Sequence, residues 1–250
     1  RTLDAGRRYV SLVPTQLSRL LDDAPAAAAL TRFDAVLLGG GAVAPRVLAR
    51  AGALGIGLRT TYGMSETAGG CFYDGLPLPG AGATIEDGGR IVLSGPMLAR
   101  RYRGDPGATS AAFVDGRFRS ADAGRFTADG RLQVLGRLDD VIVTGGRKVH
   151  PLEVQEVLGR VPQVVEAFVA GVPDAQWGQA VTAWVVPHPG VARDGLLDTL
   201  RAAVRLELGP PAVPKAIRLV EEIPRLTSGK TDRRRLVDEA SAGGAHRPGA

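Results

Sequence analysis

Cysteine is almost missing from this chain: Cys71 stands alone among 250 residues. One thiol excludes an internal disulfide and is compatible with a reducing, cytoplasmic setting. Its simplest reading is a small buried apolar residue rather than a nucleophile. Lysine is scarce too, limited to Lys148, Lys215 and Lys230, so arginine carries nearly all of the net charge of +5. Aromatic residues make up 5% of the chain, and none interleave with the scattered arginines, so no nucleic-acid partner is expected. The one tight basic cluster, Arg233-Arg234-Arg235, has Asp232, Asp238 and Glu239 beside it and reads as a solvated helix face. A mild positive balance still suits polyanionic small molecules. Apolar residues reach 44%, yet no run approaches the roughly 18 apolar residues of a membrane span. Residues 1–8 contain no apolar signal-peptide core and no initiating Met, which reads as a fragment or a processed chain.

The rest of the chain is organised around residues 136–151, Gly-Arg-Leu-Asp-Asp-Val-Ile-Val-Thr-Gly-Gly-Arg-Lys-Val-His-Pro. Four β-favouring residues run into a Gly-Gly turn, and Pro151 marks a helix start. Taken alone, this stretch reads equally as an ordinary hairpin. Upstream, the pattern is α/β. Residues 9–21 begin as a strand and turn helical after Pro14, and residues 24–30 are an Ala-rich loop or short helix. Residues 33–42 form an apolar run ending in Gly39-Gly40-Gly41-Ala42, with a helix from Pro45 to Leu54. A short strand, 58–61, then leads into Tyr62-Gly63-Met64-Ser65-Glu66-Thr67. Tyr62 offers an aromatic face for a base, Ser65 a hydroxyl for phosphate, and Glu66 a hard carboxylate oxygen for Mg²⁺. The bland alternative is a turn with an acid at a helix start. A small β subdomain follows, containing Phe118-Arg119-Ser120-Ala121-Asp122, where Asp122 reads as a turn residue. A hairpin then turns at Asp129-Gly130. Beyond residue 139 the pattern becomes α+β. Helices are expected over 152–160 and 191–208, strands over 164–172, 180–186 and 216–220, then Thr227-Ser228-Gly229-Lys230, a last helix and a disordered tail over 241–250.

These segments, in this order, resemble the adenylate-forming superfamily of acyl-CoA synthetases, luciferases and peptide-synthetase adenylation domains. The resemblance spans roughly residues 9–238. It implies an α/β large domain with a small β subdomain (1–138), a hinge at Asp139, and a small mobile α+β domain (139–240). It also implies a two-step ligation: a carboxylate attacks the α-phosphorus of ATP to give an acyl-adenylate and pyrophosphate, and a CoA thiol then releases AMP. By the same resemblance, adenine lies between Tyr62 and the Gly40-Gly41-Ala42 loop. Gly63, Met64 and Ser65 complete the nucleotide motif, and Asp122 and Arg137 hold the ribose. Glu66 binds Mg²⁺ and Lys230 supplies charge between carboxylate and α-phosphate. Gly145 and Gly146 line the thiol path. A solvated surface lysine remains the ordinary alternative for Lys230. The family's Thr-Gly-Asp is Ser120-Ala121-Asp122 here, a mild departure that keeps the acid.

One departure is larger. The family's Ser/Thr/Gly-rich phosphate loop ending in Lys has no match, since Gly39-Gly40-Gly41 lacks hydroxyls and lysine. The expectation is therefore a C-terminal part whose first third is missing. The run from Thr60 to Gly75 and the compact segment after it look most like the actinobacterial o-succinylbenzoate–CoA ligases of menaquinone synthesis. A fatty- or aryl-acid CoA ligase is the runner-up, and an inert nucleotide-binding fragment a reading of another class. Expected partners are an aromatic or aliphatic carboxylate, ATP and CoA, and a homodimer stays open.

Overall fold

The computed structural model describes residues 6–227 and 230–243, and the chain divides into two compact units between Val134 and Leu135. In the first unit, β1 (Tyr9–Leu12) passes into α1 (Pro14–Asp22), and α2 (Ala24–Leu30) follows at once. Asp23 caps α2 by accepting from the Ala26 N–H at 3.0 Å, so the Ala-rich segment is helical. Next, β2 (Ala35–Leu38), α3 (Pro45–Ala53) and β3 (Leu58–Met64) repeat the strand, turn, helix pattern. Pro14 and Pro45 open their helices, where a missing N–H leaves nothing unpaired. The three strands are parallel, with Leu12 opposite Leu38 and Leu38 opposite Thr60. Leu17, Leu21, Val36, Leu38, Val47 and Ala51 form one buried cluster around them. The antiparallel β4 (Gly69–Tyr73) and β5 (Leu76–Pro77) extend this sheet.

A second sheet contains β6 (Gly82–Ile85), β7 (Arg90–Ser94), β8 (Phe113–Val114, after α4, Pro106–Ala112) and β9 (Arg117–Phe126) of the same unit, and β10 (Leu132–Arg137), in which the unit ends. Its order is β10-β9-β7-β6, with β8 on β9. Cys71 is 1% exposed among Phe72, Ile91, Leu93 and Phe118, and burial pushes its thiol up, as suits a small core residue. At two places the structure differs from the sequence pattern. Asp122 lies inside the ten-residue β9 and not in a turn. The expected strand 58–61 continues to Met64, because β4 pairs with residues 61–64. Pairing across a sheet outweighs the weak strand preference of Asp and Gly.

The second unit has β11 (Ile142–Thr144), β12 (Arg147–Val149), α5 (Pro151–Gly159), β13 (Val164–Asp174), β14 (Gly178–Pro187), α6 (Leu196–Leu208), β15 (Ala216–Leu219) and α7 (Arg233–Gly243). The sheet runs β12-β11-β14-β13, with β15 parallel on β14. Strand alternation lets β14 serve two cores. Val181, Ala183 and Val185 face α5 and α6 residues such as Val154, Leu158 and Leu200, while Trp184 joins Leu236 and Ala240 of α7. The fold class is thus α/β followed by α+β, as the sequence reads. Helix α6 starts at Leu196 and not Val191, since turns close at His188 and Arg193 and Gly195 sits at φ 74°, outside any helix. Residues 241–243, read in the sequence as the start of a tail, continue α7, and residues 244–250 lie outside the described residues. The units separate at Leu135, inside β10, whereas the sequence reading puts the boundary at Asp139.

Candidate active site

In the first unit, β1, β2 and β3 present their carboxyl ends at one edge, the usual place for ligands on an open parallel sheet. The loop after β2 is tied there by the Gly39 N–H, which donates to the Leu12 carbonyl at 3.2 Å. A Cβ on Gly39 would come within 2.3 Å of Thr61 Oγ1, and Gly40 has a φ of 78° beside Val13. Those two glycines therefore have a packing reason. Gly41 and Ala42 are exposed on the same loop.

Tyr62 stands on β3 opposite Phe72. Its hydroxyl donates to Asp122 Oδ2 at 2.9 Å, across 60 residues of sequence. Burial, and then the Asp122 charge, hold the phenol far above its ordinary pKa, so it remains a donor. Asp122 is held by its own strand: its N–H donates to Ser120 Oγ at 3.1 Å, and that fully buried hydroxyl donates to the Ile91 carbonyl at 2.8 Å. Ser120, the departure from the family pattern, thus supports the acid. Gly63 admits no side chain, since a Cβ there would lie 1.9 Å from the Gly69 carbonyl oxygen.

After Met64 the chain makes a single 3₁₀ turn, Ser65–Thr67. Buried Thr67 pins it, its Oγ1 accepting from the Met64 N–H at 2.9 Å and donating to the Gly69 carbonyl at 2.6 Å. Ser65 is left exposed and Glu66 half-buried. The Glu66 carbonyl accepts from the Ala99 N–H at 2.8 Å, and its Oε1 accepts from the Tyr102 hydroxyl at 2.7 Å. Burial, then Glu66, push the Tyr102 phenol up to about 12. No group of three or more His, Cys, Asp or Glu that could hold a metal ion occurs among the described residues. Glu66 is a lone carboxylate with only one oxygen engaged by Tyr102, which fits Mg²⁺ bound by one carboxylate, waters and substrate phosphates.

The second unit carries the remaining expected residues. Arg137, exposed at the end of β10, has Nη2 3.8 Å from Asp139 Oδ2. Asp139 and Asp140 lie on a 3₁₀ turn, and Asp140 pairs with Arg233 at the start of α7. Gly145 and Gly146 form a two-residue hairpin turn with φ of 53° and 75°, a conformation that glycine adopts without strain. The Gly145 N–H donates to the Trp177 carbonyl at 2.9 Å, and a Cβ on Gly145 would meet the Trp177 ring at 2.9 Å. Lys215 Nζ sits 4.1 Å from the centre of that ring. Lys230 is exposed, its carbonyl accepting from the Leu226 N–H at 2.8 Å, while neighbouring Ser228 and Gly229 lie outside the described residues.

The structure therefore joins Tyr62 to Asp122, and places the Gly39–Gly41 loop and the Tyr62–Glu66 segment at one strand edge. Sequence reading missed Tyr102 and Trp177. The only signal for either was the scarcity of aromatics, which makes a Tyr or Trp in a polar loop worth notice.

Residues 153–230 match the family described as AMP-binding enzyme C-terminal domain. Over 239 residues the chain is 43% identical to a probable 2-succinylbenzoate–CoA ligase of Mycobacterium tuberculosis, covering 95% of this chain and 62% of that protein. It is similar in structure to an amide bond synthetase from Marinactinospora thermotolerans, with a TM-score of 0.82 and 31% identity over 92% of this chain and 52% of the other. An o-succinylbenzoate CoA synthetase from Bacillus subtilis, solved with its acyl-adenylate intermediate, aligns with a TM-score of 0.75 and 28% identity, covering 97% of this chain and 52% of that one. The chain thus spans between about half and three-fifths of the length of these relatives.

Proposed function

We propose that this chain, which belongs with the adenylate-forming enzymes and carries their AMP-binding C-terminal domain, serves an ATP-dependent carboxylate–CoA ligase with o-succinylbenzoate as the acid. The observation that carries the reading is the Tyr62–Asp122 hydrogen bond at the carboxyl ends of the parallel strands. It links an aromatic face suited to adenine with a carboxylate suited to a ribose diol. The choice of acid rests on the 43% identity to the mycobacterial protein.

In this reading Tyr62 and the Gly40-Gly41-Ala42 loop enclose the base, with Gly63 and Met64 as backbone walls and Ser65 at a phosphate. Asp122 and Arg137 take the ribose hydroxyls. Glu66 would hold a magnesium ion, which when bound would supply positive charge to offset the phosphates. Lys230 adds a second positive charge for that step. Turning about Asp139, the second unit then exchanges Lys230 for the Gly145-Gly146 turn, past which a pantetheine arm can run close to backbone.

The test is product formation by the full-length protein with ATP, Mg²⁺ and a panel of acids. Pyrophosphate and CoA thioester should form with o-succinylbenzoate well above fatty and benzoic acids. Equal or better turnover of a fatty or simple aryl acid would remove the assigned substrate while leaving the reaction class. No pyrophosphate with any acid would remove the reaction class as well.

A further inference from the structure

Glu66 sits on a one-turn 3₁₀ segment, and a glutamate there has three rotatable side-chain bonds. Something must fix its carboxylate if it is to meet a cation in one geometry. The structure holds it from one neighbouring segment. The Ala99 N–H donates to the Glu66 carbonyl at 2.8 Å, and three residues later the Tyr102 hydroxyl donates to Oε1 at 2.7 Å. Tyr102 is itself anchored: its N–H donates to Thr109 Oγ1 at 3.0 Å, and Thr109 in turn donates to the Asp105 carbonyl at 2.7 Å. The Tyr102 ring meets Phe113 edge-on, centroids 5.5 Å apart, and Phe113 packs on the buried Phe118 of β9 at 5.0 Å. A chain of contacts thus runs from the sheet core to one carboxylate oxygen.

The chemistry of the donor matters. An Arg or Lys here would orient the carboxylate but also neutralise it, in competition with a cation. A phenol orients it by a neutral hydrogen bond and leaves the charge and the other lone pairs in place. We propose that Tyr102 is the positioning residue that sets the Glu66 carboxylate for a divalent cation carried by nucleotide phosphates. The inference rests on the functional reading above and adds a residue to it. Tyr102 touches neither nucleotide nor acid in this account, so its effect must appear in metal binding.

The experiment measures Mn²⁺ binding, as free-ion electron paramagnetic resonance signal, to the full-length protein with a non-hydrolysable ATP analogue. The variants are Tyr102→Phe, which keeps the ring and removes the donor, and Glu66→Gln. Metal-free analogue binding and melting temperature are measured beside them. Tyr102→Phe should weaken Mn²⁺ binding about 10-fold, the low end for outer partners of metal ligands, with metal-free affinity and melting unchanged. Glu66→Gln should weaken it more. Wild-type Mn²⁺ affinity in Tyr102→Phe, together with a loss in Glu66→Gln, overturns the role of Tyr102 and leaves the functional reading standing. No loss in either variant overturns both the role and the assignment of Glu66. Early melting of Tyr102→Phe with equal losses in metal-free and metal-bound affinity makes the residue structural only, and overturns the proposal.

Discussion

The two units hold the aromatic and charged members of their expected sites differently. In the first, Tyr62, Asp122 and Glu66 sit on strands or a pinned turn and each bonds to a residue distant in sequence within the same unit, although Gly41, Ala42 and Ser65 beside them are exposed. In the second, Arg137, Asp139, Gly145, Gly146 and Lys230 are exposed and sit on turns, a strand end or a loop. The side chains of Arg137 and Asp139 meet at 3.8 Å, 54% and 73% exposed, a pairing of the kind that contributes little. The contrast teaches which job each can do. A nucleotide site gains from residues already held in place, because less ordering is left for binding to offset. Groups that serve one step and then withdraw gain from having few attachments.

Substitutions can sharpen the contrast. Lys230→Ala in the full-length protein should slow adenylate formation by roughly 10²–10³-fold, the scale for one preorganised charge, while leaving the melting temperature within error. Isotope exchange between pyrophosphate and ATP reads it. Unchanged exchange would return Lys230 to a solvated surface residue. Gly63→Ala should lower stability by about 1–3 kcal/mol or more, as overpacking against backbone does, because the added methyl meets the Gly69 carbonyl. Chemical denaturation checks this, and an unaltered midpoint would mean the β3–β4 contact is looser than described. Asp122→Ala should weaken AMP binding by about 10–100-fold, the scale of hydrogen bonds to a charged group. Calorimetry showing no change would take Asp122 out of the site. Smallest of all, Asp139→Ala should cost under about 1 kcal/mol of stability through its exposed pair with Arg137. A larger loss would show that the second unit's groups are held as firmly as the first unit's.

Much of the scaffold was legible in the sequence. Proline at the first helical turn, apolar runs ending in glycine, and the Gly145-Gly146 dipeptide each state a local backbone preference, and the structure follows them. What escaped was non-local. Tyr62 and Asp122 lie 60 residues apart, and Tyr102 and Glu66 lie 36 apart, so no periodicity joins them. Asp122 looked like a turn residue because Asp is poor in strands, and only pairing of β9 with its neighbours overrides that. Ser120 shows the same limit: a mild departure by sequence, it proves to be the buried hydroxyl beneath Asp122. Motif order singled out Tyr62, Glu66 and Asp122, while their contacts required the sheets.

The claim that the second unit's residues serve separate steps is tested most directly by single-turnover kinetics of each half-reaction in the full-length protein. Lys230→Ala should lose adenylation and keep attack of CoA on supplied acyl-adenylate near the wild-type rate. Gly146→Leu should keep adenylation and lose thioester formation, since its side chain would obstruct the proposed thiol path and strain a φ of 75°. That crossed pattern is the predicted result. Equal losses in both half-reactions for both variants would contradict it, and the assignment of Asp139 as the pivot would fall with it.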